Sequence, residues 1–537
     1  MSVRCNSVIL AAGKSTSFAP FTYERPKGLF KVKGELLIER QIEQMIEAGI
    51  DEICIVIGYM KEKFFYLEKK YPQVRLVINN HFGTKGNLYS LYVARGYLRD
   101  TYVSYADYYF TENPFLEDRD KELSYHACLY RNGKFNEFSV DYNEANCITH
   151  VDIGGADKMA MVGHSYFTAD FSKQFVSYLE REISDFRVSS LFWEEYFDRH
   201  VRDLNLLVKP YPGQSILEFN TIEDLRQFDS DFLDNVDSDI ISNITATLGC
   251  NPGQIVDINV INAGLTNVSF RFSVGDRQYV YRHPGGTAGN LIDRTSELMM
   301  QNIARETGVD MSFITMTLDG WKLSYCVNDL VECDFRKYPE QLKKGMDFLR
   351  RIHSSAIPKN EDVCQIKTFD DYEEGLRLMK IASATKGNLL KEFEQEIAQA
   401  KQLSDYLKED AERMGISLVC CHNDAYEPNF LVKKSGEMYM IDWEYAGLND
   451  PANDLACFFC RYEYSQSDID RFIEEYLQHK PSSDEYRHWM AYIPLCAFYW
   501  MGWGLYKGSV GDDDGFFFLP AYRNFHRFID SALKSFE

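Results

Sequence analysis

Asp424, Asn429 and Asp442 follow one another closely in a stretch that opens on Cys421-His422-Asn423 and closes on Met440-Ile441-Asp442-Trp443-Glu444-Tyr445. Transfer of a phosphoryl group to an alcohol needs a carboxylate that orients and deprotonates the hydroxyl. It also needs an amide and a second carboxylate that hold Mg2+ ions on ATP. The trio has the residue types for that work. A second chemistry is open near the start of the chain. In Leu10-Ala11-Ala12-Gly13-Lys14-Ser15-Thr16 an apolar strand runs into a loop of small residues, where backbone N–H groups can approach a triphosphate that bulky side chains would block. It is not a Walker A loop, because Val8 stands where that motif needs its first glycine. Asp107 lies just past another strand, in Ser104-Tyr105-Ala106-Asp107, and wound sheets place ligands at the carboxyl ends of strands.

Aromatic and acidic residues accompany both sets. A quaternary ammonium is held by aromatic faces with a carboxylate nearby, which makes Tyr89, Trp193 and Glu194 candidates in the first half. In the second half Trp500 and Trp503 are spaced so that both rings lie on one face of a helix. Each has a plainer alternative. Taken singly, Tyr89, Trp193 and Glu194 are more often core or surface residues, and an isolated tryptophan pair of this spacing is more often an apolar helix face turned to a core.

The elements that must position these residues fall into two halves. A chain of 537 residues exceeds what one hydrophobic core supports, so two domains are expected. The first hundred residues alternate strand and helix: a strand over 7–11, an amphipathic helix around Ile38, Ile42, Met45 and Ile46 stopped by Gly49, and strands over 53–57 and 101–105. Such alternation predicts an α/β domain, a Rossmann-like mixed sheet wound with helices. From Ser124 the runs shorten around Asn132-Gly133, which reads as a hairpin between antiparallel strands. The acidic stretch around Asp229 to Asp239 is the linker candidate, giving domains 1–230 and 246–537 joined by 231–245. Beyond it, strands over 255–260, 268–274 and 278–282 precede a helix from Thr295 and a largely helical remainder. The second domain is therefore expected to be α+β, a small sheet lobe followed by a large helical one.

Bulk properties narrow the partners. The net charge of -23 argues against nucleic acid, whose binding rests on clustered Lys and Arg. It suits small cationic substrates. Thirteen cysteines without paired spacing, with Cys420-Cys421 in a buried-strand run, point to reduced thiols and a cytoplasmic protein. No signal peptide is expected at the N-terminus, and no apolar run reaches the roughly 18 residues of a membrane helix, so no membrane insertion is expected. The oligomeric state stays open.

The residues also resemble two known families. Leu-Ala-Ala-Gly followed by Pro20, Thr22 and Pro26-Lys27 is similar to the signature of nucleotide-diphospho-sugar-type nucleotidyltransferases. The resemblance implies nucleotide contacts at Leu10, Ala11, Ala12, Gly13, Gly83 and Thr84, with catalytic cations at Lys14 and Lys27. It also implies Mg2+ at Asp107 with further ligands from Glu218 and Asn220. Asn220 has a second reading, as the cap of the following helix. Two positions depart from the signature, Ser15 for a glycine and Ser17 for a phosphate-contacting arginine, which shifts weight to Lys14 and Lys27. Segments 87–92 and 191–195 are similar to the phosphocholine cytidylyltransferase branch.

The second half resembles bacterial choline kinases, with their bilobal protein-kinase-like fold. That implies Asp424 as catalytic base, Asn429 and Asp442 as Mg2+ ligands, Gly264, Thr266 and Asn267 in a phosphate-covering loop, and Arg282 on the nucleotide phosphates paired with Glu297. It also implies a choline pocket walled by Trp500 and Trp503, with Glu444 and Tyr445 as further contributors. Together the halves imply a protein that phosphorylates choline with ATP and then couples phosphocholine to CTP, releasing pyrophosphate and giving CDP-choline. Alternatives are the same reactions on ethanolamine, another amino alcohol or a phosphonate, an aminoglycoside phosphotransferase, or a regulatory nucleotide-binding protein with one decayed site.

Overall fold

A computed structural model describes residues 5–116, 123–261, 267–284, 291–357, 366–511 and 515–537. The chain divides into two compact units, Met1–Ile255 and Val256–Glu537.

The first unit is built on a seven-stranded mixed sheet, in the spatial order Leu207–Pro210, Tyr125–Tyr142, Ile148–Phe167, Thr101–Tyr105, Asn6–Ala11, Ile53–Ile57, Val74–Ile78. The last four run parallel, whereas Thr101–Tyr105 meets Ile148–Phe167 antiparallel. Every residue of Asn6–Ala11 is buried, because successive side chains of a strand point to opposite faces and both faces are covered. Val8 and Leu10 join one core with Leu88, Leu91 and Phe175, and Ile9 and Ala11 join the other with Ile38, Ile42 and Met45 of the helix Leu37–Glu47. From Asn6–Ala11 the chain winds outward through Ile53–Ile57 and Val74–Ile78, then returns to the opposite side with Thr101–Tyr105. The carboxyl ends of Asn6–Ala11 and Thr101–Tyr105 flank the point where the winding reverses, the place where such sheets bind ligands.

Two expectations fail in this unit. Asn132-Gly133 is not a hairpin turn. It lies inside the strand Tyr125–Tyr142, where register shifts between Arg131 and Lys134 and Gly133 adopts φ 71°. An extra residue in a strand makes a bulge rather than a reversal. The segment 231–245 is not a linker either. Residues Phe232–Asn235 and Asp239–Leu248 are helical, with Phe232, Leu233, Ile240, Ile241 and Ile244 buried. Phe232 packs edge-on against Phe21 at 5.5 Å, and Ser238 Oγ and the Ile240 N–H both donate to Glu24. The acidic composition concealed an apolar stripe at helical spacing, and the first unit continues to Ile255.

The second unit opens with a five-stranded sheet in the order Ile255–Ile261, Asn267–Val274, Arg277–Pro284, Lys322–Tyr325, Phe313–Met316, with the helix Arg294–Glu306 inserted in the chain before its last two strands. Its described pairings are antiparallel. Helices then dominate: Pro339–His353, Asp371–Lys386, Glu394–Met414, Pro451–Arg461, Gln466–Leu477, Ser483–Ser509 and Gly515–Lys534. Two short strand pairs, Phe430–Lys433 with Met438–Met440 and Val419–Cys421 with Gly447–Asn449, carry the Asp424 to Asp442 stretch between them. This is the sheet lobe and helical lobe of a protein-kinase-like fold. No disulfide is found among the described cysteines. Among the described residues no helix is long and apolar enough to cross a membrane.

Candidate active sites

In the first unit, Lys27 is the hub. Its Nζ donates to Asp107 Oδ2 at 2.7 Å and to the Phe219 carbonyl at 2.6 Å, and it lies 4.3 Å from the Phe18 ring centroid. The turn Pro26 to Leu29 can approach the Asp107 strand end only because residue 28 is glycine: a Cβ there would sit 2.8 Å from the Ala106 Cβ. Glu218, on the strand Ile216–Glu218 paired with Tyr108–Phe110, faces the same spot. Burial, then the Asp107 charge, pushes its carboxyl up to about 7, with Lys27 acting against them. Two neighbouring carboxylates are hard oxygen ligands of the kind Mg2+ takes.

Around this hub the predicted residues separate. Leu10, Ala11 and Ala12 are buried at the strand end, and Gly13 and Lys14 are exposed beyond it. Ser15 adopts φ 46°, the left-handed region in which a glycine would be unstrained. Gly83 and Thr84 lie in an exposed turn in which the Thr84 N–H donates to the His81 carbonyl at 3.0 Å. Asn220 is exposed and does not cap the next helix. Thr221 does, accepting from the Asp224 N–H, and Asp224 Oδ2 accepts the Asn220 N–H.

Trp193 is corrected from pocket wall to core: it is 1% exposed and stacks on His126 with centroids 5.6 Å apart. Its Nε1 donates to the Tyr105 hydroxyl at 3.1 Å, and that hydroxyl donates to Glu194 Oε1 at 2.6 Å and accepts from Asn87 Nδ2 at 2.6 Å. Glu194 Oε2 is buried without a partner, and burial pushes the carboxyl up to about 7. Tyr89 is half-buried, with Lys85 Nζ 4.2 Å from its ring centroid and His81 edge-on at 5.2 Å.

In the second unit, Asp424 is buried and accepts from Asn429 Nδ2 at 3.0 Å. That bond, with one from the same nitrogen to the Asp424 carbonyl at 2.8 Å, fixes the amide and leaves its oxygen for a cation. Burial raises the Asp424 carboxyl above its ordinary range, although Arg461 and His422 pull it down. The loop carrying Asp424 is anchored from below. Asp454, at the start of helix Pro451–Arg461, accepts the N–H groups of His422 at 2.9 Å and Asn423 at 2.7 Å, and His353 Nε2 lies 2.9 Å from it.

Asp442 is 43% exposed at its side chain, sits at φ 69°, and lies 4.0 Å from Arg282. Non-glycine residues held in that region concentrate at functional sites. Arg282 meets Glu297 at 2.6 Å, a charge contact not aligned as a hydrogen bond, and Arg294 meets the same carboxylate at 2.5 Å. Burial works against the Arg282 charge, and Glu297, then Glu444 and Asp442, sustain it. Gly264 and Thr266 lie outside the described residues, and Asn267 enters only as the first residue of its strand.

Trp500 and Trp503 share a buried face of helix Ser483–Ser509, with ring centroids 5.6 Å apart. Trp503 Nε1 donates to the Tyr445 hydroxyl at 2.9 Å, and Tyr445 is edge-on to Trp500 at 5.8 Å. Glu444 is buried. Sequence reasoning missed Tyr105, Asn87 and Arg461. The first two stand inside quoted motifs, and Arg461 is the one charged residue closing the apolar run from Leu455 to Cys460.

Comparison with known proteins matches the MobA-like NTP transferase domain family to residues 7–118 and the choline/ethanolamine kinase family to residues 258–514. A 2-aminoethylphosphonate cytidylyltransferase from Lancefieldella rimae is 32% identical over 232 residues, covering 43% of this chain and 94% of that protein. A choline-phosphate cytidylyltransferase from Streptococcus pneumoniae is 32% identical over 223 residues, covering 42% of this chain and 96% of that protein. The crystal structure of the choline kinase LicA from Streptococcus pneumoniae is 21% identical, covering 54% of this chain and 98% of that one, with a TM-score of 0.45.

Proposed function

Because the chain belongs to the MobA-like NTP transferases through its first domain and to the choline/ethanolamine kinases through its second, we propose that it makes CDP-choline in two steps. The second domain phosphorylates choline with ATP, and the first transfers the cytidylyl group of CTP to the phosphocholine formed. The observation that carries the reading is the Asp424 carboxylate: buried, oriented by Asn429, and close to the aromatic cluster of Trp500, Trp503 and Tyr445.

In the kinase step the hydroxyl oxygen of choline attacks the γ-phosphorus of ATP, its proton passes to Asp424, and ADP leaves. Arg282, held by Glu297, binds the nucleotide phosphates. In the second step a phosphate oxygen of phosphocholine attacks the α-phosphorus of CTP and pyrophosphate leaves. Lys27 lies against Asp107 to stabilise the charge that develops there, and no protein nucleophile is needed. Asp107 and Glu218, joined by Asn220, would hold Mg2+ in the first site, and Asn429 and Asp442 in the second. When bound, the ion neutralises charge on the transferring phosphate. Glu194, whose buried Oε2 has no hydrogen-bond partner, would receive the ammonium head, and Tyr89 would offer an aromatic face. Reduced cysteines and the use of ATP and CTP support a cytoplasmic setting.

The two cytidylyltransferase relatives differ in acceptor, one phosphonate and one phosphate ester. The kinase domain favours the ester, because a phosphonate already carries its phosphorus and would leave the kinase nothing to supply. Phosphorus NMR of the protein with choline, ATP, CTP and Mg2+ tests the assignment. Asp424→Ala should stop at choline, and Asp107→Ala should accumulate phosphocholine. The reverse division, or phosphocholine accumulating with both variants, rejects it.

A further inference from the structure

Arg461 closes the helix Pro451–Arg461 and is buried. Its Nη2 donates to Asp424 Oδ1 at 2.5 Å, and its guanidinium carbon lies 3.9 Å from the ring centroid of Tyr426 and 4.0 Å from that of Trp500. A carboxylate with two aromatic faces is the environment of a bound organic cation, and here the protein's own cation fills it. Charge and ring faces hold the guanidinium more than hydrogen bonds do. Nε is buried without a partner, although a guanidinium has five N–H donors to satisfy, and Trp500 Nε1 beside it is unpartnered too. Burial acts against the charge, and the Asp424 carboxylate outweighs it.

We propose that Arg461 is a built-in competitor for the acceptor's cation. Its guanidinium occupies the cation position of the kinase pocket in the free protein, and the ammonium head of the alcohol binds by displacing it. This rests on the reading of the second domain as an amino-alcohol kinase. Two positive charges cannot share the Trp500 face and one desolvated carboxylate, so the exchange is one cation for one. The exchange also sets when the base is free. Until an acceptor arrives, Asp424 Oδ1 is tied to Arg461 and a stray water meets an occupied carboxylate. Once the guanidinium leaves, the oxygen is open to the hydroxyl that is to be deprotonated. Arg461 thus sets affinity for the head group and restrains hydrolysis of ATP by water.

The test uses the full chain as wild type, Arg461→Gln and Arg461→Lys. Tetramethylammonium, which has no hydroxyl to phosphorylate, reports the cation position through tryptophan fluorescence. Steady-state assays give KM and kcat for choline and the rate of ATP hydrolysis without acceptor. Arg461→Gln should bind tetramethylammonium at least tenfold tighter, about 1.4 kcal/mol, lower the choline KM by a similar factor, and raise acceptor-free ATP hydrolysis several-fold. Arg461→Lys should move each quantity the same way by less, and it decides the matter if the glutamine variant does not fold.

Unchanged or weaker tetramethylammonium binding with an unchanged or higher choline KM overturns the proposal. Arg461 would then stay in place and serve an acceptor with an anionic head. Failure of the wild type to phosphorylate choline would reject the function proposed above, while the tetramethylammonium comparison would still decide the role of Arg461.

Discussion

The Tyr105 hydroxyl donates to Glu194 Oε1 at 2.6 Å, and the other carboxylate oxygen of Glu194 is buried with no partner. A buried carboxyl pushed up to about 7 is half neutral near physiological pH. If its ionised form receives the ammonium head, the KM for phosphocholine should fall as pH rises through about 7. Glu194→Gln should flatten that profile and raise KM about tenfold. The stability effect has the opposite sense. A carboxyl whose folded value is raised disfavours the fold once ionised, so ligand-free stability should decline between pH 4.5 and about 7 in the wild type and less in Glu194→Gln. Cytidylyl transfer rates and melting curves from pH 5.5 to 8.5 check both, and a KM profile equally steep in the variant removes Glu194 from recognition.

Gly28 tests the hub from the backbone side. A methyl group at residue 28 would sit 2.8 Å from the Ala106 Cβ, so the turn or the strand end must shift, and Lys27, one residue away, holds Asp107 across that contact. Gly28→Ala should destabilise the first domain by about 1–3 kcal/mol. Cytidylyl transfer should fall on the order of a hundredfold, the scale of losing one charge-stabilising donor. Choline phosphorylation by the same preparation serves as the internal control and should be unchanged. Wild-type pyrophosphate release from the variant would show that the Lys27 to Asp107 contact is dispensable.

Much of this arrangement was legible in the chain. The alternation of apolar strands and amphipathic helices specifies a wound sheet, and Gly13 and Asp107 fall at the carboxyl ends of neighbouring strands as that architecture demands. What escaped depends on contacts between distant segments. Residues 231–245 look like a polar linker until Phe232 meets Phe21 and Ser238 meets Glu24. Trp193 has the residue type of a cation-binding wall, but the sheet behind it buries the ring, stacked on His126 and in edge contact with Phe167. Arg461 is far from Asp424 in sequence, and only the course of its helix brings the guanidinium to the catalytic carboxylate.

Asp454 supports the kinase loop without touching a reactant. Burial would raise its carboxyl, but His353, His422 and the backbone donors hold it below the ordinary 3.8. A depressed folded value stabilises the fold above the unfolded value, and that contribution disappears as pH falls through the folded one. Acid unfolding of the second domain below about pH 4 should therefore be blunted in Asp454→Asn, which starts from a stability about 3–5 kcal/mol lower. The variant should lose kcat for choline phosphorylation with little change in ATP affinity. Denaturant midpoints and kinase kinetics at pH 7 read both quantities, and a variant as stable as wild type would show that the anchoring is redundant.

Glu297 is fully buried and faces two cations, Arg282 at 2.6 Å and Arg294 at 2.5 Å. Arg282 sits in the strand Arg277–Pro284, with Asp442 4.0 Å away, so its direction decides whether the nucleotide phosphates meet a fixed guanidinium. Glu297→Gln keeps the shape and removes the nearest charge that offsets the burial of the Arg282 guanidinium. Arg282 is then free to turn toward Asp442 and Glu444, the other acids that sustain its charge. The KM for ATP should rise about tenfold or more, while the KM for choline stays within twofold because the acceptor pocket lies with Tyr445 and Trp500. Cytidylyl transfer should be unaffected. A choline KM that rises in parallel with that for ATP would show that Glu297 supports the whole cleft, and the pair would lose its specific role on the nucleotide.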